Sequence, residues 1–185
     1  MKKLNLFFIL AVTLCITAGC EKDRQSGGSL KIEAKVINGN EYNDLIDEVK
    51  VITTHTWKEV TPTEVVTCDY KNGGFSLTLP KKVIESAYLF TLDGMTLWAG
   101  DIYANFYAYK NNIEVGKFYY GTSDSKIIAR FYYCYKDNVI FHFLRYDPGI
   151  ELDVKKGWNT IYFATDGDWY YKKPNAELNW YFVPN

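Results

Sequence analysis

Tight turns between short alternating segments are the feature that most constrains this fold. Asn72-Gly73 lies between alternating segments at residues 64–70 and 75–79. Such a turn requires positive φ angles at both central residues, so Asn-Gly is a strong hairpin signal. Similar turns follow at Lys110-Asn111-Asn112, Lys136-Asp137-Asn138 and Lys155-Lys156-Gly157. This pattern predicts consecutive antiparallel hairpins.

Composition supports the same fold class. Aromatic residues make up 17% of the chain, led by 16 tyrosines, and aromatic side chains favour strands. Helical periodicity is weak and confined to residues 45–49 and 83–87, where we expect little helix. The recurring segments predict about ten strands in an all-β fold. We expect a single antiparallel β-sandwich at residues 30–185, immunoglobulin-like or transthyretin-like. If this domain consists of two subdomains, residues 94–101 are the boundary between them.

The N-terminus has the pattern of a secretory leader. Two lysines lie within residues 1–3, residues 4–16 are mostly apolar, and small residues precede Cys20. The apolar run is short for a membrane-spanning helix. The pattern resembles the bacterial lipoprotein signal, which implies cleavage before Cys20 and acylation of that residue. Thr17 stands where the signal usually has an aliphatic residue, so ordinary cleavage after Gly19 is the alternative.

Two segments therefore precede the predicted domain, a signal peptide at residues 1–19 and a flexible tether at residues 20–29. Acyl chains on Cys20 would anchor the protein to a membrane. Glu21 differs from the aspartate of the enterobacterial inner-membrane retention signal, and residues 21–23 are similar to a surface-export tract of Bacteroidetes lipoproteins. We expect an outer-membrane lipoprotein, at the periplasmic face or on the cell surface. The net charge of −1 offers no footprint for nucleic acid.

Three short stretches resemble uncharacterised Bacteroidetes lipoproteins of gut and oral bacteria. They are residues 72–80 (NGGFSLTLP), residues 156–163 (KGWNTIYF) and residues 178–182 (LNWYF). All three are patterns of strands and turns. The resemblance implies a β-sandwich in a bacterial envelope, and it implies no known activity.

Cys68 and Cys134 both fall within predicted strands of the exported domain. In an oxidising compartment such a pair favours a disulfide, which would stabilise the chain by about 4 kcal/mol because it closes a long loop. The alternative is a pair of buried thiols that pack as small hydrophobic side chains. The sequence leaves both alternatives open.

Sequence motifs for catalysis and metal binding are missing. The two histidines, His55 and His142, belong to no zinc or triad motif. We expect His142 to be partly buried, because it alternates with apolar residues, and His55 to be solvated. Asp166 and Asp168 share a turn, but calcium requires about six to eight oxygen ligands. We therefore predict no catalytic residue, no metal site and no cofactor.

Tyrosine patterning is the strongest functional signal. In residues 102–109, the side chains of Tyr103, Tyr107 and Tyr109 alternate with small and apolar residues, so they share the face opposite the core. Rows of aromatic rings bind sugars or peptides by stacking, with hydroxyl groups adding hydrogen bonds. Trp169 and Tyr170, in a predicted loop, are a second aromatic candidate. The alternative is that these tyrosines serve only cross-strand pairing.

These observations favour a lipid-anchored, non-catalytic binding module for glycan or for a partner protein. A structural or assembly component of the envelope, such as an adhesin-like subunit, is the second hypothesis. A hydrolase is the third, because paired carboxylates on a β scaffold leave no fixed spacing in sequence.

Overall fold

A computed structural model gives the fold. It describes residues 28–55, 62–83, 88–92, 95–99, 102–134, 137, 140–141, 150–151, 154–164, 169–170 and 173–185. The described chain is all-β and antiparallel, as the sequence predicts, and its helix is one 3-10 turn at Gly39–Tyr42. The predicted leader and Cys20 lie outside the described residues.

The strands are numbered in chain order. They are β1 (Leu30–Lys35), β2 (Glu48–His55), β3 (Thr63–Lys71), β4 (Gly74–Leu79), β5 (Tyr88–Leu92), β6 (Met95–Ala99), β7 (Ile102–Lys110), β8 (Ile113–Gly121), β9 (Ile127–Cys134), β10 (Ile140–Phe141), β11 (Ile150–Glu151), β12 (Gly157–Ala164), β13 (Trp169–Tyr170) and β14 (Asn179–Pro184).

One curled sheet contains most of these strands. Its order is β1-β4-β3-β2-β7-β8-β9-β12-β13, and β14 pairs with the other edge of β8. A parallel bridge joins Val36, just after β1, to Trp180 of β14, and the Ile37 N–H donates to the Trp180 carbonyl oxygen at 2.9 Å. The sheet therefore returns almost to its first strand. It is a nearly closed barrel, so the expectation of an immunoglobulin-like sandwich of two sheets is wrong.

Two predicted hairpin turns are confirmed by their backbone angles. Asn72 and Gly73 have φ of 54° and 75°, and Asn111 and Asn112 have φ of 50° and 64°. Positive φ at both central positions matches the right-handed twist of the paired strands. These turns join β3 to β4 and β7 to β8, and they lie at the same end of the barrel, which we call the turn end.

The other two predicted hairpins are wrong. Along its length β9 pairs with β12, and its opposite edge is shared by β7 and β8. The short strand β10 pairs instead with β11. Because both edges of β9 are already hydrogen-bonded to other strands, the next strand in the chain, β10, cannot pair with it. Likewise β5 and β6 form a separate two-stranded sheet.

Aromatic side chains fill the barrel interior. Trp180 is 5% exposed and lies at the centre of this core. Its ring centroid lies 5.0 to 5.9 Å from those of four other rings, Phe75, Phe106, Tyr120 and Phe131. Packed and edge-to-face rings of this kind bury a large apolar area for each residue. The core thus draws on β4, β7, β8, β9 and β14, and it fixes the curl of the sheet.

Candidate binding face

The alternation predicted for β7 is confirmed. Ile102, Ala104, Phe106 and Ala108 are all buried, whereas the residues between them are half-buried. Successive side chains of a strand point to opposite faces, so Tyr103, Asn105, Tyr107 and Tyr109 lie on the outside of the barrel. We call the outward side chains of β2, β7, β8, β9 and β14 the outer tyrosine face. It contains Lys50, Tyr103, Asn105, Tyr107, Tyr109, Lys117, Tyr119, Arg130 and Tyr181.

Lysine side chains lie over two of the predicted tyrosines. Lys50 of β2 lies with its Nζ 4.8 Å from the ring centroid of Tyr109. Lys117 of β8 lies with its Nζ 5.0 Å from the ring centroid of Tyr107, directly opposite it in the strand register. An ammonium group near an aromatic face is attracted by the ring quadrupole. The row is therefore a mixed surface of rings and cations.

Tyr103 has a different environment. Its ring centroid lies 5.8 Å from that of Tyr132 on β9, and the Arg130 guanidinium lies 5.7 Å from its centroid. Tyr103 also packs against a small buried cluster that contains Tyr132, Cys134, Val154 and Ile161. The row of three tyrosines predicted from sequence is thus divided, because Tyr103 belongs to a local core and Tyr107 and Tyr109 do not.

Two further tyrosines extend the face, and the sequence analysis missed them. Tyr119 of β8 and Tyr181 of β14 are paired in register, and their rings stack with centroids 5.1 Å apart at 18°. The Ser125 hydroxyl donates to the Tyr119 hydroxyl oxygen at 3.2 Å. The available signal was the alternation of Tyr119 with the buried Phe118, but the pairing of β8 with β14 joins residues far apart in sequence.

Hydrogen bonds and burial set the polar chemistry of the face. The Asn105 amide donates to the Thr54 hydroxyl oxygen at 3.0 Å, which fixes the amide beside the tyrosines. Burial, followed by the Glu114 carboxylate, raises the pKa of both Tyr107 and Tyr109. Their phenols therefore stay protonated at neutral pH and can donate hydrogen bonds. Such a face offers rings, hydroxyl groups and an amide to a ligand that is itself rich in hydroxyl groups.

The second aromatic candidate is described only through its backbone. Trp169 and Tyr170 form β13, which pairs with Tyr162 and Phe163 of β12. They lie in a strand at the sheet edge rather than in the predicted loop. Their side chains lie outside the described residues, as do His142, Asp166 and Asp168.

Cys68 and Cys134 are not bonded to each other. Cys68 packs against the main core from β3, whereas Cys134 belongs to the small cluster on the opposite face of the sheet. Of the two alternatives that the sequence left open, the structure has two unbonded thiols packed among apolar residues. Burial, with the Asp69 carboxylate second, raises the pKa of Cys68 to about 11.

The described ranges contain neither a cluster of metal ligands nor a membrane-spanning helix. In that part of the chain no three side chains of histidine, cysteine, aspartate or glutamate come together as a metal site would require. The 3-10 turn is far too short to span a bilayer, and the described residues contain no helix that is long and apolar enough to do so.

No known protein family matches this chain. No curated protein is similar to it, and no solved structure matches its fold.

Proposed function

We propose that this protein is a lipid-anchored, non-catalytic binding module of the bacterial outer membrane, and that its outer tyrosine face binds glycan. The observation that carries the proposal is the placement of Tyr107, Tyr109, Tyr119 and Tyr181 outside the barrel, beside lysine and asparagine side chains. Sugar rings present C–H groups to aromatic faces and hydroxyl groups to polar neighbours. Both kinds of contact are available here.

The rigidity of the face supports the same proposal. Tyr107 and Tyr109 project from a central strand that pairs with β2 on one side and β8 on the other. Groups on such a strand lose little conformational freedom when a ligand binds, and preorganisation of this kind favours affinity. The tyrosine rings are half-buried on an open wall of the barrel, beside hydroxyl and amide groups that can form hydrogen bonds. An open surface of this kind suits a chain of sugar residues better than a small molecule that must be enclosed.

The anchor is proposed from sequence and fits the position of β1. Leu30 begins β1 opposite Leu79, at the end of the barrel away from the turn end. The tether from an acylated Cys20 would thus join the barrel at the end opposite the turn end, with the outer tyrosine face on the barrel wall. Mass spectrometry of the natural protein should find acyl chains on Cys20, and an unmodified thiol there would contradict the anchor.

Glycan binding is tested by titrating the purified protein with neutral and acidic polysaccharides and by native electrophoresis through gels containing each one. Tyr107→Ala should weaken binding about fivefold, because one stacked ring contributes about 1 kcal/mol. Tyr107→Phe keeps the aromatic ring, so it should lose less affinity for the polysaccharide than Tyr107→Ala does. Glu33→Ala, on the outer side of β1 and exposed, is the matched control and should bind as the wild type does. Absence of binding across a broad polysaccharide panel would refute the proposal.

A structural or assembly role is the second candidate, and one observation favours it. Four large apolar side chains are exposed in the described chain, Ile37, Leu45, Ile113 and Val183. The strand register places Ile113 and Val183 near the turn end. Ile37 and Leu45 lie in the segment between β1 and β2 at the same end, where a partner subunit could cover all four. Sedimentation should then show self-association that Ile113→Ser weakens, whereas a monomer at high concentration would count against this role.

A further inference from the structure

Three strands of the sheet meet at one point of the outer tyrosine face. β7 and β8 are paired as far as Phe106 and Phe118, and beyond that pair they separate. β9 then enters the gap, and one edge of β9 pairs with β7 through residues 131–133 and with β8 through residues 128–129. Asn105, Tyr119 and Arg130 surround the meeting point, one from each strand. We call this place the three-strand junction.

The cations near this junction differ from the others on the face. Lys50 forms ion pairs with Glu48 and Glu64, and Lys110 forms one with Asp47. Lys117 and Arg130 are exposed, and no ion pair to a carboxylate is found for either of them among the described residues. Both side chains contact aromatic rings instead.

Arg130 is held in a way that suits recognition of an anion. Its guanidinium lies 5.7 Å from the ring centroid of Tyr103 and 5.1 Å from that of Phe163. Contact with ring faces leaves the N–H groups at the guanidinium edge to form hydrogen bonds, and a planar fork of N–H donors matches a carboxylate or a sulfate. The rings beneath Arg130 and Lys117, Tyr103 and Tyr107, are four residues apart on one strand, about 13 Å.

We propose that the three-strand junction binds the anionic groups of an acidic polysaccharide, with Arg130 and Lys117 as the two cationic contacts. This inference rests on the proposed glycan binding and names the class of glycan. The charge complementarity is local, because the chain as a whole has a net charge of −1. Asn105, fixed by Thr54, and the adjacent tyrosines contact the sugar hydroxyl groups between the two charges.

The test compares acidic and neutral polysaccharides on the full-length mature protein. Polygalacturonate is paired with neutral galactan as the carboxylate arm, and dextran sulfate is paired with dextran as the sulfate arm. We expect at least tenfold tighter binding of the acidic member of one pair, with a preference that falls as salt is raised. Which pair shows the preference identifies the anionic group.

Three variants remove the two cations separately and together. Arg130→Gln and Lys117→Gln should each remove part of the preference, and the double variant should bind acidic and neutral polymers alike. Lys126→Gln is the matched control, because this exposed lysine lies in the β8–β9 turn and pairs with Asp124. The preference should survive in that variant. Circular dichroism and thermal unfolding confirm that each variant is folded.

Four outcomes would overturn the inference, and they are distinguishable. A double variant that keeps the acidic preference, or a Lys126→Gln variant that loses it equally, would assign the effect to charge elsewhere. Equal binding of acidic and neutral polymers by the wild type, still sensitive to Tyr107→Ala, would overturn this inference and leave the proposed function intact. Failure to bind any of the four polymers would overturn this inference, and failure across the broad panel would refute the proposed function as well.

Discussion

Gly39 lies directly against Gly73, backbone to backbone. A Cβ atom on Gly39 would lie 2.1 Å from the Gly73 carbonyl oxygen, and that oxygen accepts a hydrogen bond from the Val36 N–H at 3.0 Å. The Tyr70 hydroxyl donates to the Gly39 carbonyl oxygen at 2.9 Å. This contact packs the 3-10 turn onto the β3–β4 hairpin and covers the turn end of the barrel.

Gly39→Ala should therefore destabilise the fold, by about 2 kcal/mol or more, because the methyl group meets backbone that cannot move without breaking the Val36 bond. The measurement is the midpoint of urea unfolding. Ser76→Ala, at an exposed position on β4, should change the free energy of unfolding by less than about 0.5 kcal/mol. Equal stability of Gly39→Ala and wild type would show that this contact is looser than the structure has it.

Trp180 should be the most sensitive position in the core. Trp180→Ala removes the ring that contacts Phe75, Phe106 and Phe131, and truncation of a buried Trp costs about 3–5 kcal/mol. Tyr181→Ala is the matched control on the same strand, since its side chain points outward and stacks on Tyr119. It should cost about 1 kcal/mol at most. Thermal unfolding of both variants makes the comparison, and a reversed order would contradict the assignment of inner and outer faces.

The two thiols should react slowly in the native protein and readily after unfolding. A pKa of about 11 for Cys68 leaves roughly a hundredfold less thiolate at pH 8 than an ordinary cysteine has, and only the thiolate reacts. Cys134 is 1% exposed. Alkylation followed by mass spectrometry, in buffer and in guanidinium, checks this, with Cys68→Ser to separate the two sites.

Reducing agent supplies the control for the same prediction. Because Cys68 and Cys134 are not bonded to each other, dithiothreitol should leave the thermal midpoint unchanged. A fall of several degrees on reduction would restore the disulfide alternative.

Asp124 should make the β8–β9 turn sensitive to acid. Its carboxylate accepts hydrogen bonds from the Thr122 hydroxyl at 2.7 Å and from the Lys126 N–H at 3.1 Å, and these bonds lower its pKa to about 2. A carboxyl whose pKa is lowered by folding stabilises the folded state above its ordinary pKa of 3.8, and that contribution is lost as the pH falls toward 2. Asp124→Asn should be less stable than wild type at pH 6.

The difference between wild type and Asp124→Asn should shrink as the pH is lowered from 5 to 2, because the wild-type carboxyl becomes protonated over that range. Urea unfolding at several pH values measures it. Asp69→Asn, an exposed carboxylate paired with Lys71 within β3, is the control, since an ion pair between exposed side chains contributes little. A difference that stays constant with pH would show that Asp124 acts through shape alone.

Local chemistry made part of this fold predictable. The turns at Asn72-Gly73 and Asn111-Asn112 depend on residues that tolerate positive φ, and the two faces of β7 depend on the period of a strand. The outward placement of Tyr107 followed from that period. These features need only neighbours within a few residues, so the sequence carries them directly.

The binding face, in contrast, was only partly predictable. Nothing within residues 113–121 indicates that Tyr119 stacks on Tyr181, or that β9 enters between β7 and β8. Those contacts depend on which strand edges are left open once the core has formed. The same long-range strand pairings place Arg130 and Lys117 on one outer surface.

By itself, the sequence determined an all-β antiparallel chain, the position of two hairpins and the outward side of β7, because turn angles and strand period are local properties. Tertiary structure alone decided that the sheet closes nearly into a barrel, that Cys68 and Cys134 lie on opposite faces, and that β9 pairs with β12. The physical reason is that the large ring of Trp180 must be surrounded by strands from both ends of the chain, and burying it selects one set of long-range pairings.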